Sequence, residues 1–183
     1  MRVIAGEAKG MRLKSPSGLN IRPTADRVKE ALFSMIGSSI VDAVFVDLYA
    51  GSGAIGIEAI SRGAESCIFV DNNKKSISLI KQNLAITKFE NRGRVICADI
   101  KKAIKQLEEK DCKADIVFLD PPYNIVELRS IIEFILNSSI LKEDGLVIVE
   151  HDRNNIGWTV SLALTKQKKY GDTYLSFFLK YRG

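Results

Sequence analysis

From residue 43 onward the chain alternates between two apolar patterns. Ala43–Leu48, Ser66–Asp71, Arg94–Ala98, Asp115–Leu119 and Leu146–Glu150 are short, nearly continuous apolar runs. Such runs predict strands buried on both faces of a parallel sheet. Helical spacing appears between them. Ile100, Ala103, Ile104 and Leu107 recur at i, i+3, i+4 and i+7 behind Asp99, and Leu128, Ile131, Ile132, Ile135 and Leu136 repeat in the same way. Strand, helix, strand, helix predicts a doubly wound α/β sheet, in which ligands bind beyond the carboxyl ends of the strands. The end of the chain breaks this rhythm. Thr159–Tyr170 and Thr173–Tyr181 are extended runs separated only by Gly171-Asp172. Two residues close a hairpin but not a parallel crossover, so one terminal strand runs antiparallel to its neighbours.

The first 40 residues read differently. Residues 1–20 mix short apolar pieces with Gly6, Gly10, Pro16 and Gly18, predicting one or two small strands joined by turns. Thr24 then reads as the cap of a helix with Asp26 in its first turn. Ala25, Val28, Leu32 and Met35 lie on one face of that helix, and Gly37 ends it. The expected organisation is an extension over 1–40, packed on a domain over 41–183.

Charge sharpens this division. The 183 residues carry 27 basic and 22 acidic side chains, net +5. Residues 1–30 alone hold seven basic side chains, Arg2, Lys9, Arg12, Lys14, Arg22, Arg27 and Lys29, against Glu7, Asp26 and Glu30. One basic end on a nearly neutral body is either an edge facing a polyanion or a solvated terminus. With 46% apolar and 27% charged residues, the chain is an ordinary globular protein rather than a disordered one. No apolar run approaches the roughly 18 residues of a membrane span, and the start lacks the apolar stretch of a secretory leader. Cys67, Cys97 and Cys112 are odd in number and widely spaced. They match no metal-ligand pattern and suggest reduced thiols in a cytoplasm.

The first candidate for chemistry follows the first strand, at Asp47-Leu48-Tyr49-Ala50-Gly51-Ser52-Gly53-Ala54-Ile55-Gly56. Residues 51–56 match G-x-G-x-x-G, with a strand before, a helix after and Asp71 20 positions beyond Gly51. The simpler reading is a tight turn whose glycines supply positive φ. The functional reading is a loop for a nucleoside-bearing cofactor, and charge selects which one. Asp47 would repel a pyrophosphate but attract an ammonium or a sulfonium, and S-adenosylmethionine carries both. Asp71 suits the ribose hydroxyls, and Asp99 the adenine amino group. Asp99 is also a helix cap, and its two oxygens allow both roles. Asn72 and Ile100, beside these carboxylates, are counted with the cofactor contacts, as are Tyr49, Gly51, Ser52 and Gly53.

The second candidate is Asp120-Pro121-Pro122-Tyr123, directly after the fourth strand. Two prolines forbid helix and ladder hydrogen bonding and stiffen the turn. The Asp120 carboxylate and the Pro121 carbonyl can each accept one N–H of an exocyclic amine, and Tyr123 can stack on the base that bears it. Two such bonds favour a pyramidal nitrogen and orient its lone pair, which is the main task with so poor a nucleophile. No metal is required. A rigid loop with a packed tyrosine is the alternative.

Together these motifs resemble the amino-methyltransferases that use S-adenosylmethionine, and the terminal hairpin fits their seven-stranded, Rossmann-like sheet. The N-terminal residues narrow the resemblance. Arg2-Val3-Ile4-Ala5-Gly6, Lys9-Gly10, Leu13, Pro16, Arg22-Pro23-Thr24, Arg27 and Glu30-Ala31-Leu32-Phe33 resemble the bacterial 16S ribosomal RNA guanine-N2-methyltransferase family of the RsmD type. So do Glu58-Ala59, Ser61-Arg62-Gly63-Ala64 and the Tyr170-Gly171 turn. The resemblance implies methyl transfer to N2 of a guanine in 16S rRNA; the small size of the basic surface suggests that ribosomal proteins of a small-subunit particle complete the recognition site. It also implies that Arg22 and Thr24 lie over the cofactor and that Arg2, Lys9, Arg12 and Arg27 meet RNA. Two positions depart from the family: Tyr49 stands where Phe is usual and Asp71 where Glu is usual, the latter shortening the reach to the ribose by one methylene.

Other residues carry less. His151, the single histidine, reads as a packing or surface residue, and Glu150 as a strand end. Trp158 is either a partial anchor or an RNA contact. Lys166, Lys168 and Lys169 read as a solvated edge. The rival activity is DNA adenine-N6 methylation, since Asp-Pro-Pro-Tyr serves either amine. Such enzymes extrude a base from a duplex and usually carry a recognition region for which no residues remain here. A nicotinamide oxidoreductase conflicts with Asp47. A non-catalytic RNA-binding protein would not need Asp120.

Overall fold

The computed structural model describes residues 1–16, 23–122, 127–152 and 164–180. Seven strands form one sheet: β1 (Val44–Leu48), β2 (Ser66–Asp71), β3 (Gly93–Cys97), β4 (Ala114–Leu119), β5 (Leu141–Asp152), β6 (Leu164–Tyr170) and β7 (Thr173–Leu179). Their order is β3-β2-β1-β4-β5-β7-β6. The pairs from β3 to β5 are parallel. β7 is the reversed strand, antiparallel to both β5 and β6. The predicted α/β sheet with its terminal hairpin is therefore the observed one. Strand order reverses between β1 and β4, which makes their carboxyl tips the switch point of the fold.

The helices are α1 (Pro23–Ile36), α2 (Ala54–Ser61), α3 (Lys74–Thr87), α4 (Ile100–Glu108) and α5 (Leu128–Leu136). Alternation along each strand sorts the core into two layers. Phe45, Phe69, Ile116, Phe118 and Ile148 face the layer that holds Val3, Leu13, Leu32 and Phe33. Val46, Leu48, Val117, Leu119, Val147 and Val149 face α4 and α5, through Ile104, Leu107, Ile132 and Ile135. Phe45, Phe69 and Phe118 are fully buried, and truncating such a ring to alanine typically costs about 3–5 kcal/mol.

Three expectations need correction. α1 begins at Pro23, so Thr24 lies inside the first turn and is not the cap; proline suits the first helical position because its missing N–H has no partner there anyway. Residues 1–16 form a single antiparallel bridge, Arg2 to Arg12, rather than strands. Gly6 and Gly10, both at positive φ, turn the chain back too soon for longer pairing. β5 is longer than expected and starts at Leu141, because the polar run Lys142-Glu143-Asp144 continues the strand past a register shift between Ala114 and Ile116. The early part of the last hairpin, 159–163, and Tyr181 lie outside the described residues.

Residues 1–16 are fastened to α2 and α3 by polar groups. The Glu58 carboxylate, fully buried, accepts N–H bonds from Ile4 (2.8 Å) and Ala5 (3.0 Å). It also accepts from Arg62 Nε at 2.8 Å and pairs with the buried Lys29 ammonium at 3.1 Å. Lys29 in turn donates to the Arg2 carbonyl at 2.6 Å. Its charge is therefore spent inside the protein and does not belong to the basic edge. Gly6 is held against α2 so closely that a Cβ would lie 1.7 Å from the Ser61 carbonyl oxygen. Asn83, also fully buried, donates to the Lys14 carbonyl (3.0 Å) and the Ser52 carbonyl (2.9 Å) and accepts from the Lys14 N–H (2.8 Å). One amide thus joins the N-terminal segment to the glycine loop. The thiols of Cys67, Cys97 and Cys112 are all free; Cys67 is buried and Cys97 exposed.

Candidate active site

The glycine loop leaves β1 through Tyr49, whose φ of 61° is unusual for a residue with a bulky side chain. Backbone strain of this kind concentrates at functional sites. Gly51 and Gly53 follow at φ 56° and 76°, as the tight-turn and cofactor readings both require. A Cβ at Gly51 would meet only the Tyr49 carbonyl oxygen, at 3.9 Å, so there is open space beside this backbone for a ligand. Gly56 has a different task. A Cβ there would lie 2.3 Å from the Phe69 ring and 2.5 Å from Cys67 Sγ, so its bare backbone lets α2 sit on β2.

Asp47 is 2% exposed and accepts the Gly56 N–H at 3.0 Å. Burial pushes its carboxyl up to about 8; the Gly56 N–H opposes this, and the neighbouring carboxylates of Asp120 and Asp71 add to it. No cation among the described residues pairs with it. Once ionised, this buried acid needs a cation, and the methionyl ammonium of S-adenosylmethionine fits that demand. Asp71 ties the loop to β2: its Oδ2 accepts the Gly51 N–H (2.9 Å) and its Oδ1 the Asn73 N–H (2.8 Å). Each oxygen retains acceptor capacity for a hydroxyl. Asp99 caps α4 by accepting the Lys102 N–H at 3.0 Å.

A cavity of about 180 Å³ opens beyond the tips of β1, β2 and β3. It brings together Tyr49, Asp71, Asn72, Asp99 and Ile100, five of the predicted cofactor residues. Ala98, Lys101, Glu127 and Ile131 complete its lining. Sequence reasoning missed these four. Ile131 reads as core from its place on the apolar helix face. Lys101 and Glu127, 3.7 Å apart and exposed, belong to segments with no motif. Polar acids on one side and apolar side chains on the other suit a nucleoside. Asp47, Gly51, Ser52 and Gly53 do not line the cavity; Asp47 lies on the β1 face that continues toward Asp120.

Asp47 pairs in register with Phe118, and Leu48 with Leu119, so the strand leads from β4 directly into Asp120 beside the β1 tip. Asp120 reaches solvent and Pro121 is buried. The protein packed around Asp120 pushes its carboxyl up to about 6. Glu150, at the same level of β5, is pushed up to about 8 by burial and by the Asp120 charge. His151 is buried on the other face. Its ring nitrogens lie 2.8 Å from Ser176 Oγ and 2.9 Å from the Asp152 carbonyl, it stacks on Tyr174, and burial lowers its pKa.

Arg2, Lys9, Arg12 and Arg27 are exposed, with no ion-pair partner among the described residues. Tyr123, Arg22 and Trp158 lie outside the described residues, as does the side chain of Thr24. No group of three or more His, Cys, Asp and Glu among the described residues is arranged to hold a metal ion. No helix among them is long and apolar enough to cross a membrane.

The model of the family described as Conserved hypothetical protein 95 matches residues 1–179. The chain belongs to this family. It is the family of the RsmD type that the motifs resemble. YlbH of Bacillus subtilis, named as a candidate rRNA methyltransferase, is 40% identical over 182 residues, covering 98% of this chain and 99% of that protein. The ribosomal RNA small subunit methyltransferase D of Escherichia coli K12 is 35% identical over 155 residues, covering 85% of this chain and 76% of its own length. The solved structure of yhhF, a candidate methyltransferase from Escherichia coli, superposes with a TM-score of 0.82 at 32% identity, covering 98% of this chain and 97% of that one. The family likeness thus extends through the basic N-terminal segment as well as the sheet.

Proposed function

We propose that this protein methylates ribosomal RNA, transferring one methyl group from S-adenosylmethionine to the exocyclic N2 of a guanine in 16S rRNA. The observation that carries this reading is that Asp47 pairs with Phe118 on the adjacent parallel strand and Asp120 follows two residues later, just past the end of β4. A donor anchored at Asp47 lies within direct reach of an amine held at Asp120. Membership of the family supports rRNA as the substrate. When bound, the cofactor supplies an electrophilic methyl on a sulfonium sulfur.

The chain's own residues do the rest. Asp47 binds the ammonium of the methionyl arm, and the bare backbone at Gly51 admits that arm. Ser52 and Gly53 shape the loop. Asp71 and Asn72 take the ribose hydroxyls; Asp99 and Ile100, with Tyr49 across the cavity, hold the adenine. Asp120 and the Pro121 carbonyl each accept one N–H of the target amine, which turns its lone pair toward the methyl. Tyr123 stacks on the base. After transfer the amine carries an excess proton, and Asp120, with its raised pKa, is placed to receive it. Arg22 and Thr24 cover the cofactor. Residues 1–40 act as an extension of the catalytic domain 41–183, and their exposed Arg2, Lys9, Arg12 and Arg27 hold RNA phosphates. The reading places the protein in the cytoplasm, acting on a small-subunit particle. It is tested by mass spectrometry of rRNA from cells with and without the gene. A 16S N2-methylguanine that disappears with the gene is expected; an unchanged rRNA modification profile refutes the proposal.

A further inference from the structure

We propose that Glu150 is a specificity-determining residue for the target base, accepting the ring N1–H of guanine beside the amine held at Asp120. The inference rests on the guanine-N2 reading and deepens it. Its basis is the sheet. Leu119 on β4 and Val149 on β5 are register partners, so continuing the register by one residue sets Asp120, just past the end of β4, beside Glu150 on β5, one strand spacing of roughly 4.8 Å away. Phe118 and Ile148, two residues earlier, both face the layer of Phe45. Leu119 and Val149 face the opposite layer. Alternation therefore returns Asp120 and Glu150 to the same face, the one on which Asp47 meets α2. Leu175, fully buried, pairs with Glu150 on β7, so one flank of the carboxylate is apolar. Glu150 is half-buried and has no hydrogen bond or ion pair among the described residues. A strand end buried against leucine has no structural need for an acid, and a half-buried acid without a partner calls for an explanation.

Base chemistry supplies one. Guanine presents N1–H and the N2 amine side by side, two donors in a row. Adenine presents its N6 amine next to an N1 lone pair. Both amines fit the Asp120 corner. Two acceptors on neighbouring strands match the donor pair of guanine, whereas adenine sets its lone pair against the oxygens of an ionised Glu150; the neutral acid, which burial and Asp120 favour below about pH 8, can donate its O–H to that lone pair instead. An acceptor left facing a lone pair in a confined site is worth about tenfold to a hundredfold in rate. Ionised Glu150 thus separates guanine-N2 from adenine-N6 chemistry at a corner that by itself serves both.

The experiment uses the full chain, with small-subunit particles from cells lacking the gene as the probe. The methylated position is first located by mass spectrometry, and a second batch of particles carries adenine there. At about pH 9, where Glu150 is largely ionised, the wild-type protein is expected to form N2-methylguanine and to act on the adenine particles at least about tenfold more slowly. In Glu150→Gln the new amide can donate to the adenine lone pair, so the guanine rate falls and the ratio narrows at least about tenfold. Glu150→Asp keeps an acceptor and is expected to retain the guanine preference at a lower rate. Cofactor titration confirms that each variant is folded. A Glu150→Gln protein that slows both bases equally, or keeps the wild-type ratio, overturns the proposal and leaves the guanine-N2 reading standing. So does a Glu150→Asp protein that loses its preference. A wild-type protein that forms no N2-methylguanine removes the reading and the proposal together.

Discussion

The protonation of Asp47 makes cofactor binding a proton-release reaction. With its carboxyl pushed up to about 8 in the empty site, Asp47 is about nine-tenths protonated at pH 7. Docking an ammonium against it favours the charged form and expels that proton. Between pH 6 and 7 the uptake of S-adenosylmethionine is therefore expected to release close to one proton, and affinity to rise about tenfold per pH unit. The rise flattens near pH 8, where the free α-amino group begins to titrate as well. Isothermal titration at pH 6.5 in two buffers of different ionisation enthalpy measures the release directly. Asp47→Asn retains an acceptor for the Gly56 N–H, and in this variant the release is expected to vanish along with most of the affinity. Stability without cofactor carries the matching sign. A folded-state pKa raised above 3.8 contributes stability that is fully present below pH 3.8 and is lost as pH rises through about 8. A shift of this size corresponds to a cost on the order of 5 kcal/mol above pH 8. Asp47→Asn is accordingly expected to raise the thermal midpoint at pH 8.5 and to change it far less at pH 4. Heats that do not depend on the buffer, or a proton release that persists in Asp47→Asn, refute the reasoning.

Other outcomes follow from features already described. Asp120→Ala is expected to abolish methyl transfer while leaving cofactor affinity within a few fold in titration calorimetry; complete loss of cofactor binding would reassign the residue. Glu58→Ala leaves the buried Lys29 charge without a counter-ion, with only the Arg2 carbonyl among the described residues to accept from it. It is expected to cost about 3–5 kcal/mol in denaturant unfolding and to speed amide exchange at Ile4 and Ala5. Replacing Arg2, Lys9 and Arg12 with glutamine is expected to weaken RNA binding and to flatten its salt dependence by about 0.7 in log–log slope for each phosphate no longer neutralised. An unchanged slope would remove this segment from the RNA interface.

Strands buried on both faces leave uninterrupted apolar runs, so β1, β2, β3 and β4 could be read to within a residue or so of their observed ends. α4 and α5 were legible because one face of each is apolar at helical spacing. The hairpin was legible because only Gly171-Asp172 separates its strands. The start of β5 was not: Lys142-Glu143-Asp144 has the composition of a loop, and its pairing depends on a partner strand far away in the chain. The buried Lys29–Glu58 pair was invisible for a related reason. Either charge alone resembles surface, and nothing local announces a partner 29 positions away. At the site, the carboxylates of β1 to β3 stood out by position, but the remaining wall of the cavity comes from Ala98 and Lys101 around the start of α4 and from Glu127 and Ile131 at α5, where Ile131 looks like any other core residue. Glu150 reads in sequence as no more than a strand end, because its significance lies in a neighbour on the adjacent strand.

The unequal exposure of the three thiols has a practical consequence. Cys67 is sealed beneath Gly56, whereas Cys97 is exposed at the end of β3, its sulfur 4.0 Å from the carbonyl of Asn72 and one residue before Ala98 in the cavity wall. A maleimide dye attached at Cys97, with Cys112→Ser to prevent double labelling, would therefore sit at the rim of the nucleoside pocket and signal occupancy by a change in emission, without a new cysteine having to be introduced.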